Sequence, residues 1–202
     1  MSATSAANDA VKDIGTAQSD LFVRLRFRTP ALVGTSQFHT VIDIIASDWG
    51  TELKAGYRKD GSGNTQWFIN APTGGDITQA ATILADTWYD LILRRKTGSG
   101  DGIAALYVNE SLVINSTNQT QTTNAQYVVV GTVEASTSST AFIDDVVVSD
   151  VVPTFAPSLT LISSGSQRKL LHILDLMYSS PEAEDWLQSV FVLDVFVEGV
   201  FV

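Results

Sequence analysis

At 202 residues the chain is long enough to bury a sizeable core, and because β sandwiches of this length commonly form a single unit, one core plus a tail is expected rather than two domains. A net charge of −10 argues against the clustered Lys and Arg needed to grip nucleic-acid phosphates, and the absence of cysteine excludes disulfides and thiolate metal sites. Charged residues make up only 17% of the chain against 45% apolar, which predicts that some surface is covered by a partner.

Residues 1–19 are small and polar and predict a loose arm or one weak strand around residues 10–14. Their start lacks the basic residues and apolar run of a secretory signal, so a standard leader is not expected in this chain. No stretch approaches the roughly 18–20 consecutive apolar residues of a membrane-spanning helix.

Residues 20–150 read as strand after strand. Leu21, Val23, Leu25 and Phe27 alternate with Arg24, Arg26 and Arg28, the period of a half-buried strand, and Pro30 then stops it. The arginine row is expected to pair with acids on a neighbouring strand or to form a positive stripe for an acidic partner. Further strands are predicted at 40–46, 52–59, 65–70, 88–95, 104–108, 113–115, 125–131 and 141–148, with turns at 48–50, 60–64, 72–76 and 97–102. The Ser, Thr, Asn and Gln runs at 115–124 and 134–140 are expected to be exposed loops.

Within this region Trp88 leads one strand, Leu106-Tyr107-Val108 runs into a tight turn, Val130-Gly131 ends another strand, and Phe142-Ile143-Asp144-Asp145 opens the last. These segments resemble the laminin-G-like branch of the concanavalin A-like lectin/glucanase jelly-roll superfamily, over about residues 20–150. One departure is clear: Asn109-Glu110 stands where those relatives usually carry Asp-Gly, so a different turn type is expected there. The resemblance implies an all-β fold, an antiparallel two-sheet jelly-roll sandwich, here with a short, partly helical C-terminal tail. It also implies an additional strand before residue 21, which the first 19 residues would supply only in shortened form.

The composition changes after Asp150. Residues 151–166 read as a linker, and 167–202 as a tail. Leu170, Leu171, Leu174 and Met177 fall at helical spacing, and Ser180-Pro181 with the following acids looks like the start of a second helix containing Trp186. Phe191, Leu193, Val195, Val197 and Phe201 alternate as a strand would, although Asp194 and Glu198, four apart, also suit one face of a helix. An aromatic, uncharged strand must be paired with something, so Leu170, Leu174, Met177, Trp186, Phe191, Leu193, Val195 and Phe201 are expected to hold an assembly together, with a protein partner or further copies of the chain.

Signals for chemistry are weaker. Glycoside cleavage needs an acid and a base or nucleophile on either side of the bond, and no strand here has the Glu-x-Asp-x-x-Glu spacing of related hydrolases. Asp43 and the Asp144-Asp145 pair are the nearest candidates, but adjacent strand residues point to opposite faces, so no enzyme is expected. His39, at a predicted strand edge, and His172 are the only histidines, and both are expected to be surface or satisfied residues.

No cofactor is required, but Asp48, Asp60, Asn64, Asp76 and Asp101 sit in turns and are candidate calcium ligands, since laminin-G-like relatives sometimes bind calcium. Trp49, Tyr57 and Trp67 are candidate sugar-stacking residues, with Trp49 the best exposed, whereas Trp67 and Trp88 more simply belong to the core. The composite expectation is a non-enzymatic structural or adhesive module on a virion (head decoration or tail) or extracellular surface. The alternative is a carbohydrate-binding lectin-like module.

Overall fold

The computed structural model describes residues 8–50, 52–136 and 139–153. The expectations for the greater part of the linker, the tail helices, the terminal strand and its assembly residues lie outside them.

The described residues form eleven strands and no helix: β1 (Asn8–Gln18), β2 (Asp20–Arg28), β3 (Phe38–Ala46), β4 (Glu52–Lys59), β5 (Thr65–Ala71), β6 (Gly75–Ala80), β7 (Tyr89–Lys96), β8 (Gly98–Val108), β9 (Ser111–Gln121), β10 (Ala125–Ala135) and β11 (Phe142–Ser149). Two antiparallel sheets face each other, one in the order β1-β10-β3-β4-β5-β6 and one in the order β11-β2-β7-β8-β9. In β2 the predicted alternation holds, with Leu21, Val23, Leu25 and Phe27 in the core between the sheets. They meet Val41, Ile42, Ile44, Leu53, Tyr57 and Ile69 from the six-stranded sheet. Burying each large side chain stabilises the sandwich by about 1.5–3 kcal/mol before entropic costs.

Several expectations fail, each for a reason that only pairing supplies. The N-terminal segment is a full strand of 11 residues, not a shortened one. It lies along β10 from Asn8 opposite Thr132 to Asp13 opposite Tyr127, so ladder bonds replace the β propensity its small residues lack. The polar run after residue 114 is not a loop. It continues β9 to Gln121, and the buried Gln121 amide donates to the carbonyls of Lys96 and Ile103 at 2.9 and 2.8 Å. Glu134 and Ala135, expected in a loop, end β10.

Most of the turn expected at residues 97–102 joins β8. Gly102 makes this pairing feasible, because a Cβ there would lie 2.7 Å from the Gln119 carbonyl oxygen. Strand β6 has no counterpart among the expected strands: only its first two residues belong to the turn expected at 72–76, where Gly74 and Gly75, with φ of 105° and 66°, reverse the chain into it. Asn109 and Glu110 both take positive φ, 47° and 68°, the backbone requirement of a type I′ turn, so the hairpin is as tight as Asp-Gly would make it despite the unusual Glu.

Candidate functional site on the outer face of the six-stranded sheet

Directly opposed residues in a sheet project to the same face, so register alone assembles this surface. Asp43 on β3 stands between Val129 on β10 and Lys54 on β4, and the row continues through Asn70 on β5 to Asp76 on β6. An adjoining row holds Asp13, Tyr127, Ile45 and Glu52. The intervening Ile44, Leu53, Ile69 and Val128 point into the core, so these rows face away from the five-stranded sheet.

Lys54 organises the centre. Its Nζ lies 2.8 Å from Glu52 Oε2 and donates to Glu134 Oε2 at 3.1 Å. Burial lowers the Lys54 ammonium, but the hydrogen bonds to Glu52 and Glu134 more than offset this and hold it above its ordinary range. Asp43 is only 3% exposed, and its Oδ1 has no hydrogen-bond donor among the described residues. Burial, reinforced by the negative charge of Glu52, pushes the Asp43 carboxyl up to about 7, while Lys54 pulls the other way. The position thus holds a carboxyl group poised between its neutral and charged forms, with an acceptor unfilled. Arg95 reaches inward from β7, 1% exposed, and donates to the Thr123 carbonyl at 2.8 Å.

At one end of the face Trp49, 56% exposed, lies against Tyr127 with ring centroids 4.2 Å apart. Trp49 takes φ 59°, a conformation that a bulky side chain rarely adopts. Beside it Asp48 accepts hydrogen bonds from the Gly50 amide and the Thr123 hydroxyl, both at 3.0 Å, which hold its carboxyl below the ordinary range. Toward the other end Asp76 accepts from Arg58 at 2.7 Å and from Asn70 at 2.8 Å.

Of the three aromatic candidates, only Trp49 belongs to this surface. Tyr57 and Trp67 are buried in the core at 0% and 3% exposure and cannot present a stacking face there. Tyr127, Glu52, Lys54 and Glu134 were not singled out from sequence. The polar alternation Glu52-Leu53-Lys54 was the available signal for two of them. Trp88, expected in the core, is 36% exposed on the opposite side of the molecule, because Tyr89 takes the place across from the inward Phe27 and Trp88, one residue earlier, lies under the outward Arg26 and Arg28.

The five turn residues proposed for calcium are not brought together. Asp60 and Asn64 share one turn, where Asp60 accepts from the Asn64 amide nitrogens and from Ser62 N. Asp101 is engaged by Ser99 N in another turn. Among the described residues no three His, Asp or Glu side chains form a set that could hold a metal ion. His39 does lie near the start of β3, but it is neither at the surface nor satisfied: the ring is fully buried against Phe27 and Tyr57, and neither ring nitrogen has a hydrogen-bond partner among the described residues. Burial lowers it to about 4. His172 lies outside the described residues.

The arginine row occupies the outer face of the five-stranded sheet. Arg24 pairs with Asp90 at 3.3 Å, Arg26 with Asp145 at 3.7 Å and Arg28 with Asp86 at 3.8 Å. The guanidinium groups of Arg26 and Arg28 also lie 5.1 and 5.3 Å from the centre of the Trp88 ring. Asp144 and Asp145 do not simply alternate, since Asp145 has φ 51° at a bulge in β11, and both are exposed.

No protein-family model and no curated protein matches the chain. Among solved structures it is similar to the alginate lyase Aly36B, with a TM-score of 0.57 and 12% identity over 69% of this chain and 72% of that one. A heptameric SAP-like pentraxin from Limulus polyphemus gives a TM-score of 0.49 at 16% identity, covering 71% of this chain and 70% of that one. The carbohydrate binding module CBM66 from Bacillus subtilis gives 0.44 at 14% identity, covering 69% and 81%. At such identities the first likeness shows the fold alone, a β-sandwich jelly roll.

Proposed function

We propose that the chain is a non-enzymatic adhesive module that binds a saccharide on the outer face of the six-stranded sheet. The observation that carries this reading is the side-by-side placement of an aromatic pair, exposed Trp49 and half-buried Tyr127, and a cross-strand set of hydrogen-bonding groups around Asp43, Lys54, Glu52 and Glu134. Amphipathic aromatics cover the apolar face of a sugar ring, and a cross-strand set of donors and acceptors suits its hydroxyls. Catalysis is not proposed, because Lys54 holds both glutamates that flank Asp43 in ion pairs.

A glycan array, run with and without calcium, tests the reading. Binding that is lost in Trp49→Ala and Lys54→Ala while the melting temperature is kept is the expected result. Purified protein should release no new reducing ends from β-glucans, alginates or agars. Turnover abolished by Asp43→Asn would overturn the non-enzymatic assignment.

A second reading, that the chain is a subunit of a larger assembly such as a virion surface, is favoured by the open side of the sandwich. There the two edge strands, β1 and β11, flank a groove of about 740 Å³ lined by Val11, Ile14, Val128, Val130, Val146 and Val148. Exposed apolar edges of this kind are sites of association, here with a second copy of the chain. Light scattering on the full chain checks it: a multimer reduced to monomer by Val146→Lys supports the reading, and a monomer at all concentrations ends it.

A further inference from the structure

Resting on the saccharide-binding reading, we infer that the outer face of the six-stranded sheet selects an amine-bearing, cationic saccharide over neutral or uronate sugars. Two independent observations carry this. The first is charge. The rows around Asp43 bring Glu52, Glu134 and Asp76 to the same surface as Lys54 and Arg58, and the β1 edge adds Asp9 and Asp13. Leaving out Asp43, which burial keeps largely neutral at pH 6, carboxylates outnumber cations on this face by five to two among the described residues. A polyuronate would meet net repulsion, whereas an ammonium group would be drawn to the face.

The second observation is an unfilled acceptor. Asp43 is 3% exposed and lies at the centre of these rows, yet its Oδ1 receives no hydrogen bond among the described residues. A buried acceptor left open costs free energy, and a donor that also carries positive charge satisfies it best. The existing arrangement shows what the site accepts: the Lys54 ammonium already bridges Glu52 and Glu134 at 2.8 and 3.1 Å. A ligand ammonium beside it would be held by the same kind of contact, using the acceptors that one lysine leaves unused, while Trp49 and Tyr127 cover the adjoining ring. The opposite face carries no such surplus, since Arg24, Arg26, Arg28 and Arg94 are each matched by an aspartate.

Isothermal titration of the full chain tests the inference with three hexasaccharides at about pH 6, where amines are charged: fully deacetylated chitosan, chitin and oligoguluronate. The expected result is chitosan binding at least about tenfold tighter than chitin, with no saturable binding of oligoguluronate. Glu52→Gln and Glu134→Gln should each weaken chitosan binding about tenfold, and weaken it several-fold more than they weaken chitin binding. Asp144→Asn, on the other sheet, should change neither, and an equal loss there would reduce the effect to overall charge and overturn the inference. Chitin or oligoguluronate binding as tightly as chitosan also overturns it, while leaving saccharide binding intact. No binding of any of the three, or of any array glycan, overturns both.

Discussion

The two outer faces of the sandwich are built from the same period-2 alternation and reach opposite electrostatic ends. On the five-stranded sheet every arginine of β2 has an aspartate across from it or beside it, and Trp88 shields two of the guanidinium groups. On the six-stranded sheet one lysine serves two glutamates and leaves a third, buried carboxyl with an open acceptor. Charges settled in pairs leave one face near neutral, whereas the acidic surplus leaves the other negative, although each face keeps a buried polar atom without a hydrogen-bond partner among the described residues, Arg28 Nε on one and Asp43 Oδ1 on the other.

The comparison is broken most severely by attacking the core beneath both faces. Leu25 is 0% exposed, so Leu25→Asp should cost roughly 4 kcal/mol or more and unfold the sandwich, as a lost cooperative melt would show. Gly56 comes next. A Cβ there would lie 2.0 Å from the His39 carbonyl oxygen, where the bulge in β3 brings the backbones together. Gly56→Ala should cost on the order of 1–3 kcal/mol in urea titration and disturb the six-stranded face more than the other.

A smaller effect separates two buried titrating groups of one strand. His39 is lowered by burial from 6.5 to about 4, so between those values the unfolded chain binds more protons and stability rises with pH. Asp43 is raised, chiefly by burial, from 3.8 to about 7, so over that range the folded chain binds more protons and stability falls as pH rises. The two slopes oppose each other, and the wild-type chain should be nearly flat from about pH 4 to 6.5. Asp43→Asn removes one slope, and the variant should gain up to about 1.4 kcal/mol per pH unit across that window. Chemical denaturation at several pH values reads this directly; a wild type that already slopes as steeply as the variant would mean that Asp43 is not shifted as described, and a flat variant would discard the His39 shift.

The smallest effect is expected at the paired face. Arg26 is 38% exposed and 3.7 Å from Asp145, so Arg26→Ser should change stability by no more than about 0.5 kcal/mol. Comparable damage from Arg26→Ser and Leu25→Asp would discard the inside-outside assignment of β2.

Much of the sandwich was legible because alternation is written residue by residue. Leu21 to Phe27 announced both the strand and its buried face, and Asp60 to Asn64 announced a turn. The polar half of β9 and the full length of β1 beyond residues 10–14 were not, since neither carries enough apolar residues to signal a strand; β9 is held by ladder bonds to its hairpin neighbour β8, and β1 by bonds to the distant β10. The site was legible in fragments. Trp49 stood out as an aromatic in a turn, and Asp43 as a carboxylate inside an apolar run. Tyr127 and Glu134 did not, because nothing in their own segments shows that they meet Trp49 and Lys54.

The sequence by itself determined the all-β class of the described residues, the inward and outward faces of strands such as β2, and the positions of many turns, because these depend on side-chain period and on local backbone freedom. Only the tertiary structure decided that Tyr57, Trp67 and His39 lie in the core, that Trp88 lies outside it, and that Glu52, Lys54 and Glu134 gather around Asp43. Those outcomes follow from strand order and register, and a shift of one residue reverses the face of every side chain in a strand. Placing β3 between β10 and β4, strands 80 residues apart at the Lys54–Glu134 contact, is a property of the whole folded chain rather than of any segment within it.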